Sequence, residues 1–381
     1  MNKKAIAILG VIFLLIVGTL GFLIYQKYST KPSTSSATPA NSVSQTNNQS
    51  QNQPATTTPV AVSDTFVKLS TSQVLSPTLF YNGNGITYFT PAGDLYQADL
   101  VSDAKSATLS RQRTLGIKQK TGINKILWPA AGNNFIAESD TPVASMWSFF
   151  NSQIGDYVDL PPQVESVDWM PAGDKIAYVW LQNNKATLNI SDPDMQNYKS
   201  ISDMWETDDS IHVSPDGLSI LYYETHNSST TNPIYMVSID GKVWKTPITA
   251  DYNSGVLWSP DSKKFLFGKK DPSSGKFQLW YYNVMTSETK SLGVYTIPQK
   301  AAWGSDSLTI YAAVPTVGTP GIGSLTQDTI YKITTDTLQQ KQYSSQSQQV
   351  DGEDLFADQD GTKLFLKNAQ DNYLYYVDLT R

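Results

Sequence analysis

Carboxylate side chains are concentrated in one short segment of this 381-residue chain, where they surround a single tryptophan. Carboxylate oxygens are ligands that Ca²⁺ prefers, and acidic groups beside an aromatic ring can also hold a sugar or a basic peptide. The segment is therefore the candidate ligand-binding site, with a solvated loop as the simpler interpretation of the same charges. Its members are Asp203, Trp205, Glu206, Asp208 and Asp209.

A second acidic run lies near the C-terminal end and has the same two interpretations. It comprises Asp351, Glu353, Asp354, Asp358 and Asp360. We expect no obligatory cofactor, and Ca²⁺ is the ion that either run could hold. The identity of any metal stays open.

Residue counts argue against several classes of enzyme. The chain has two histidines, His212 and His226, and no cysteine, which disfavours a zinc site and a thiol nucleophile. His212 precedes a turn motif and is interpreted as structural. No G-x-S-x-G string occurs, and three scattered arginines do not suggest an arginine cluster for a carboxylate substrate. We therefore expect no catalytic residue and a noncatalytic protein.

The elements that would position these groups follow from a repeat. An apolar-aromatic strand core recurs seven times at steps of 42 to 51 residues, at positions 95, 146, 188, 234, 279, 330 and 374. A period of about 40–50 residues with four short strands per unit is typical of propeller blades.

A turn motif accompanies these strands and predicts a tight connection between antiparallel strands. Pro presets φ, Asp or Ser can bond the nearby backbone, and Gly accepts a positive φ. Six copies span residues 128–132, 169–173, 213–217, 258–262, 303–307 and 357–361, with a decayed first copy at 82–85. Apolar residues three and five positions later share one strand face, which a single sheet cannot bury. The pattern predicts an all-β, seven-bladed β-propeller of four-stranded antiparallel blades over residues 64–381.

The turn and the strand after it approach the pattern W-S-P-D-G-x-x-I-x-Y, most clearly from Val213 to Tyr222 and from Trp258 to Phe267. This pattern resembles the WD-repeat-like propeller repeat of TolB and of the propeller domain of dipeptidyl peptidase IV relatives. The resemblance covers residues 64–381. It implies a propeller, and it suggests an exported domain that binds other envelope proteins without catalysis.

Closure of the ring makes a separate prediction. The last repeat holds three strands, so an outer strand must come from elsewhere in the chain. The alternating segment from Thr65 to Ser70 is placed to supply it, which would also cover an exposed sheet edge.

The N-terminal segment predicts the location. Ala5 to Ile24 are 20 residues without a charge, enough to span a hydrocarbon core of about 30 Å. We interpret residues 5–25 as a transmembrane signal anchor, with residues 1–4 in the cytoplasm because Lys3 and Lys4 precede the span. A cleaved signal peptide is the alternative, but the apolar stretch is long and no Ala-x-Ala follows it.

Composition completes the layout. Residues 26–63 are rich in Ser, Thr, Gln and Pro and are predicted to be a disordered stalk, because they cannot bury enough apolar surface to offset their ordering entropy. Residues 64–381 carry 24 basic and 34 acidic side chains, a formal charge of −10, which disfavours a nucleic acid partner.

These observations predict a cell-membrane protein with one span, whose extracytoplasmic propeller acts as a noncatalytic binding or assembly module of the cell envelope. Expected partners are an envelope protein or peptide, or a cell-surface glycan. The alternative is a glycan or lactone hydrolase, or a Ca²⁺-dependent lectin, using acidic residues at the channel mouth.

Two further segments depart from the repeat. One is an inserted loop at 315–327, where binding could reside. The other is a basic stretch at 105–125, which could touch an anionic polymer or lipid or simply be a solvated hairpin.

Overall fold

The computed structural model describes residues 66–80, 83–102, 106–141, 145–204, 209–224, 232–248, 253–319, 325–343 and 350–380. In these ranges the chain forms seven antiparallel sheets of four strands each, which confirms the predicted seven-bladed propeller. The predicted membrane helix at 5–25 and stalk at 26–63 lie outside these ranges. Across the described ranges, no helix has the length and apolar character needed to cross a bilayer.

The strands follow the chain from blade to blade. Strand β1 spans Val67–Lys68. Blade 1 contains β2 (Leu75–Leu79), β3 (Gly85–Phe89), β4 (Leu95–Ser102) and β5 (Ala107–Leu115). Blade 2 contains β6 (Ile123–Leu127), β7 (Phe135–Asp140), β8 (Ser145–Asn151) and β9 (Asp156–Asp159). Blade 3 contains β10 (Val164–Trp169), β11 (Ile176–Gln182), β12 (Lys185–Ser191) and β13 (Lys199–Asp203).

The remaining blades repeat this order. Blade 4 contains β14 (Asp209–Val213), β15 (Ser219–Glu224), β16 (Ile234–Ser238) and β17 (Trp244–Ile248). Blade 5 contains β18 (Asn253–Trp258), β19 (Lys264–Lys270), β20 (Phe277–Asn283) and β21 (Glu288–Ser291). A 3-10 helix, Pro298–Lys300, precedes blade 6, which contains β22 (Ala301–Trp303), β23 (Thr309–Val317), β24 (Gln327–Thr334) and β25 (Gln340–Gln342). Blade 7 contains β26 (Gly352–Ala357), β27 (Lys363–Asn368) and β28 (Tyr373–Asp378).

The ring closes through β1, as the sequence predicts. This strand pairs antiparallel with β28, with Val67 opposite Tyr376 and Lys68 opposite Tyr375, and becomes the outer strand of blade 7. Phe66 packs with Val377 and Leu379 in the layer between blades 6 and 7. The two ends of the propeller are therefore joined by backbone hydrogen bonds and by burial.

The alternation of strand directions gives the ring two faces. One face, which we call the turn face, carries the hairpins that join the first strand of each blade to the second and the third to the fourth. The opposite face carries the connections between second and third strands and those from one blade to the next, and we call it the loop face. Strand β1 runs from the turn face to the loop face, so Phe66 lies at the turn face.

The hydrophobic core is a set of layers between neighbouring blades. Tyr222 of blade 4, for example, is fully buried with Val179 and Leu188 of blade 3, while Phe265 of blade 5 is fully buried with Leu221 of blade 4. Each sheet is covered on both sides by its neighbours, which is why the strand residues three and five positions after each turn are apolar.

Tryptophans at the repeat position connect neighbouring inner strands. Trp169 donates its indole N–H to the carbonyl of Leu127 at 2.9 Å, and Trp303 does the same to Leu257 at 3.2 Å. Since an inner strand has no partner on its channel side, these bonds satisfy carbonyl groups that the sheet leaves unpaired.

The turns on the turn face also contact one another. A Cβ on Gly173 would come within 2.9 Å of the Ala131 carbonyl, and one on Gly217 within 3.2 Å of the Pro171 ring, both in the preceding blade. In blades 5 and 6 a serine takes the glycine position with positive φ, and Ser262 Oγ accepts a hydrogen bond from the Asp216 backbone N–H at 2.9 Å. The sequence motif thus sets both the turn and its fit to the next blade.

Candidate functional site

The predicted acidic site at 203–209 is only partly described. Asp203 ends β13, is exposed, and forms an ion pair of 3.1 Å with Lys185 of the same blade. Asp209 begins β14, while Trp205, Glu206 and Asp208 lie outside the described residues. The candidate site therefore stays a prediction, and its one described side chain pairs with a lysine.

The second acidic run is distributed over separate interactions. Glu353 and Asp354 both pair with Lys367, at 3.2 and 3.3 Å, and Asp358 accepts hydrogen bonds from its own turn. Asp351 is buried next to Lys300, away from the other members of the run. Nowhere in the described ranges do three or more acidic, His or Cys side chains converge in a way that could hold a metal ion.

A buried charged cluster, which we call the Lys300 node, lies at the loop face between blades 6 and 7. Lys300 ends the 3-10 helix that leads into β22, and only 4% of its surface is exposed. Its ammonium group is 2.8 Å from Asp328 Oδ2, contacts Asp351 Oδ1, and donates to the Gly352 carbonyl at 3.1 Å. Three acceptors match the three N–H donors of a lysine, so burial leaves no proton unsatisfied.

Hydrogen bonds from neutral donors add to the ion pairs of the Lys300 node. Burial raises the pKa of Asp328 against the opposing effect of Lys300. Thr326 Oγ1 lies 2.7 Å from Asp328 Oδ1 and 2.9 Å from Asp351 Oδ1, and the Gly352 N–H donates to Asp328 Oδ2 at 2.8 Å. Because both carboxyl groups are buried, these bonds lower the cost of holding them away from water.

The Lys300 node holds the bases of three connections on the loop face. The Thr326 N–H donates to Asp351 Oδ2 at 2.8 Å, which ties the end of the 315–327 loop to the start of blade 7. The Asp351 N–H donates to Asn368 Oδ1 at 2.9 Å, and Gln370 Nε2 donates to the Thr326 carbonyl at 3.1 Å. Since Lys300 is enclosed and fully bonded, its role is to position these loops.

The channel wall contains a second polar group, formed by Asp168, His212 and their neighbours. Asp168 Oδ2 accepts the Val213 N–H at 2.8 Å, which satisfies the unpaired inner edge of blade 4. His212 is half-buried, stacks on Tyr223 with ring centroids 5.9 Å apart, and has Nε2 3.4 Å from Ser210 Oγ. These contacts agree with the structural role predicted for His212.

Burial shifts the ionisation of both channel residues. It raises the pKa of Asp168 to about 6, with the Val213 and Trp169 N–H groups opposing the shift. It lowers the pKa of His212 to about 3, with nearby Lys125 adding to the effect. At neutral pH Asp168 is an anionic acceptor and His212 is neutral.

The basic stretch at 105–125 is largely paired. Arg111 lies 3.6 Å from Asp99, Lys118 lies 2.9 Å from Asp156, and Lys120 lies 2.5 Å from Asp159. The first pair lies within blade 1, and the two lysine pairs tie the segment after blade 1 to the outer strand of blade 2. They support the solvated-hairpin interpretation more than an open surface for an anionic polymer.

Sequence reasoning missed the Lys300 node except for Asp351, which it counted as part of an acidic run. The repeat gives no signal for it. Alignment on the turns places Lys300 level with Gly255 of blade 5 and with Lys125 of blade 2, which is exposed, so a lysine at this position is not by itself buried. The node depends on Asp328 and Asp351, which other segments supply.

No known protein family matches this sequence. No curated protein is significantly similar to it either.

Several solved structures are similar in fold. An oligogalacturonate lyase of Vibrio parahaemolyticus shares 9% identity over 84% of this chain and 92% of its own, with a TM-score of 0.58. The Cps50 (Swd1) β-propeller domain of Myceliophteria thermophila shares 8% identity over 82% of this chain and 98% of its own, with a TM-score of 0.55. At these identities the likeness shows the propeller fold alone, and it confirms the resemblance to WD-repeat-like propellers at that level.

A TolB of Acinetobacter baumannii is also similar, with 15% identity over 78% of this chain and 79% of its own and a TM-score of 0.43. A score this low carries no argument about function. The resemblance to dipeptidyl peptidase IV relatives stays a prediction.

Proposed function

We propose that the protein is a noncatalytic binding or assembly module, displayed on the outer side of a membrane by the 5–25 helix and the 26–63 stalk, and that the loop face contacts its partner. The observation that carries the proposal is the Lys300 node. It fixes the bases of three connections through buried hydrogen bonds and ion pairs, so the loops of blades 6 and 7 are presented on a rigid support.

The position of Phe66, the first described residue, also supports the loop face as the partner surface. Phe66 lies at the turn face, where it packs against Leu379. The described part of the chain therefore starts at the face opposite the loop face. The 26–63 stalk, as a flexible coil, would span about 30–35 Å and hold the propeller off the bilayer.

The rival function, a hydrolase or lectin that uses acidic residues at the channel mouth, would need unpaired carboxylates that converge. Asp203 instead pairs with Lys185, Glu353 and Asp354 pair with Lys367, and Asp358 accepts hydrogen bonds within its own turn. This distribution favours the binding module.

Photo-crosslinking from defined positions tests the face. A photoreactive amino acid replaces Leu325 or Tyr295, both exposed on the loop face, or Met285, which is exposed on a hairpin of the turn face. We expect the loop-face positions of the 64–381 domain to crosslink one envelope protein in purified membranes, with competition by unlabelled domain. Crosslinking from Met285 alone would reject the loop face.

Two further measurements separate the remaining parts of the proposal. Protease protection of the full chain in intact cells tests the anchor, since an outward propeller is digested without membrane rupture. Turnover of cell-wall glycans with and without Ca²⁺ tests the rival, and turnover that is lost in Asp203→Asn would replace the binding module with an enzyme.

A further inference from the structure

A cleft between blades 1 and 2 opens on the turn face, beside Gly132 of the blade 2 turn. The blade 3 turn packs on Ala131 of blade 2, and the blade 1 turn packs on Gln359 of blade 7, within 2.8 Å of a Cβ placed on Gly83. Among the described residues, a Cβ placed on Gly132 of the blade 2 turn would meet nothing within 4 Å.

Blade 1 carries Phe80-Tyr81-Asn82-Gly83 where blade 4 carries Ser214-Pro215-Asp216-Gly217. The Phe80 N–H donates to the Gly85 carbonyl at 2.8 Å, and the Gly83 N–H donates back to the Phe80 carbonyl at 2.8 Å, which is the bonding pattern of the complete turn in blade 4. The decayed copy thus keeps the turn but places a phenylalanine where blade 4 has a serine. The Phe80 ring lies directly over the Gly85 backbone, within 2.5 Å of where a Cβ would be, so its position is fixed.

The repeat tryptophan of blade 2 is accessible at this cleft. Trp169, Trp258 and Trp303 are buried at 6%, 8% and 9% exposure, whereas Trp128 is only half-buried. Its indole N–H still donates to the Ser76 carbonyl at 2.7 Å, and its ring packs near Phe135 with centroids 5.5 Å apart. Trp128 is therefore a rigid aromatic surface that borders open space.

The cleft has a volume of about 370 Å³ and combines apolar and polar walls. Phe80, Trp128 and Pro129 form part of the apolar side. Gln97 and Arg113 stand on the polar side, where Arg113 donates to Gln97 Oε1 at 3.1 Å and is thereby oriented. The volume lies near the lower end of the range for small-molecule sites, and aromatic walls with a few oriented polar groups are their usual lining.

We propose that this cleft binds a saccharide unit of one or two rings. A sugar ring has a hydrocarbon face for Phe80 and Trp128 and hydroxyl groups that both donate and accept, which suit the Gln97 amide and the Arg113 guanidinium. Asp99 also lines the cleft, but Arg111 lies 3.6 Å from its carboxylate and offsets the negative charge. The cleft is on the turn face and the proposed partner surface is on the loop face, so each proposal can fail without affecting the other.

Two pairs of variants provide matched controls. Arg113→Gln removes the guanidinium from the cleft, while Lys245→Gln removes an exposed cation from the outer strand of blade 4, which does not line it. Asn133→Trp fills the rim, while Asp174→Trp makes the same change at the equivalent exposed position of the blade 3 turn. All four positions are exposed, so unfolding midpoints should stay near that of the unchanged domain.

The test is calorimetric titration of the 64–381 domain with cellobiose, N,N′-diacetylchitobiose and digalacturonate. We expect at least one of these saccharides to bind, with affinity reduced about tenfold or more by Arg113→Gln and by Asn133→Trp but unchanged in the two controls. Absence of binding by all three up to about 10 mM, or binding that both cleft variants retain, would overturn the proposal.

Discussion

Trp258 of blade 5 donates its indole N–H to the backbone carbonyl of His212 in blade 4, at 3.1 Å. The bond joins two inner strands that share no sheet, and it uses a carbonyl on the channel side of blade 4. Equivalent bonds run from Trp128, Trp169 and Trp303 to the preceding blades. The tryptophan of the repeat is thus a connector between blades as well as a packing residue.

Replacing this tryptophan tests the connector. Trp258→Phe keeps a buried ring but leaves the His212 carbonyl without its donor, so we expect a loss of about 1–2 kcal/mol in the free energy of unfolding, measured by urea titration. Trp280→Phe is the matched control, because the Trp280 N–H is buried without a hydrogen-bond partner among the described residues. Equal losses in the two variants would show that the indole bond contributes nothing.

The lowered pKa of His212 predicts a pH dependence. The unfolded chain takes up a proton near pH 6.5, while the folded protein does so only near pH 3. Between these values the unfolded state binds more protons, so acidification destabilises the fold by up to about 1.4 kcal/mol per pH unit.

Comparison with His212→Asn isolates this contribution from the titration of other groups. The stability difference between the unchanged domain and the variant should move in favour of the variant as the pH falls below 6.5. Urea titrations at pH 7.5, 6 and 5 measure it. A constant difference across the series would mean that His212 is protonated in the fold as readily as in the unfolded chain.

Removing the cation of the Lys300 node leaves buried acceptors without a donor. For Lys300→Met we expect a loss of about 3–5 kcal/mol in the free energy of unfolding, because Asp328 and Asp351 stay buried without compensation. Hydrogen exchange should also rise in the loops that the node anchors. Lys242→Met breaks the exposed pair with Asp240 and should leave the unfolding midpoint nearly unchanged.

The contacts between turns can be separated from backbone strain. Gly217 has φ of 70° and touches the ring of Pro171, whereas Gly155 has φ of 67° and faces open space. Both glycine-to-alanine changes carry the cost of a positive φ, about 1 kcal/mol, and Gly217→Ala should cost more because Pro171 must move. Thermal unfolding gives the difference. Identical melting temperatures would mean that the turns do not restrain one another.

Strand β1 should be essential although it is two residues long. A chain that begins at residue 71 lacks it and exposes the edge of β28, so we expect self-association in light scattering together with a lower melting temperature. The 64–381 domain retains β1 and serves as the control. A monomeric 71–381 chain of unchanged melting temperature would contradict the closure argument.

The fold could be predicted because its determinants repeat along the chain. Turn motifs such as Ser214-Pro215-Asp216-Gly217 and the tryptophans act within one blade or on the next one, and their spacing appears directly in the sequence. The Lys300 node was not predictable in this way, because Lys300, Asp328 and Asp351 come from three segments that only the ring brings together. The decayed first turn was visible, but the cleft depends on Phe80 and Trp128, which lie in different blades and are brought together only by the fold.

Closure by β1 also sets the order in which the protein can assemble. The first strand of the propeller pairs with the last, so during synthesis blades 1 to 6 can form an arc while blade 7 waits for β28. This pairing has the largest sequence separation in the fold, and such contacts are slow to form. A chain whose synthesis stops before Tyr373 would leave β1 without its partner strand and the ring open. Completion of the last strand therefore converts an aggregation-prone intermediate into a closed ring.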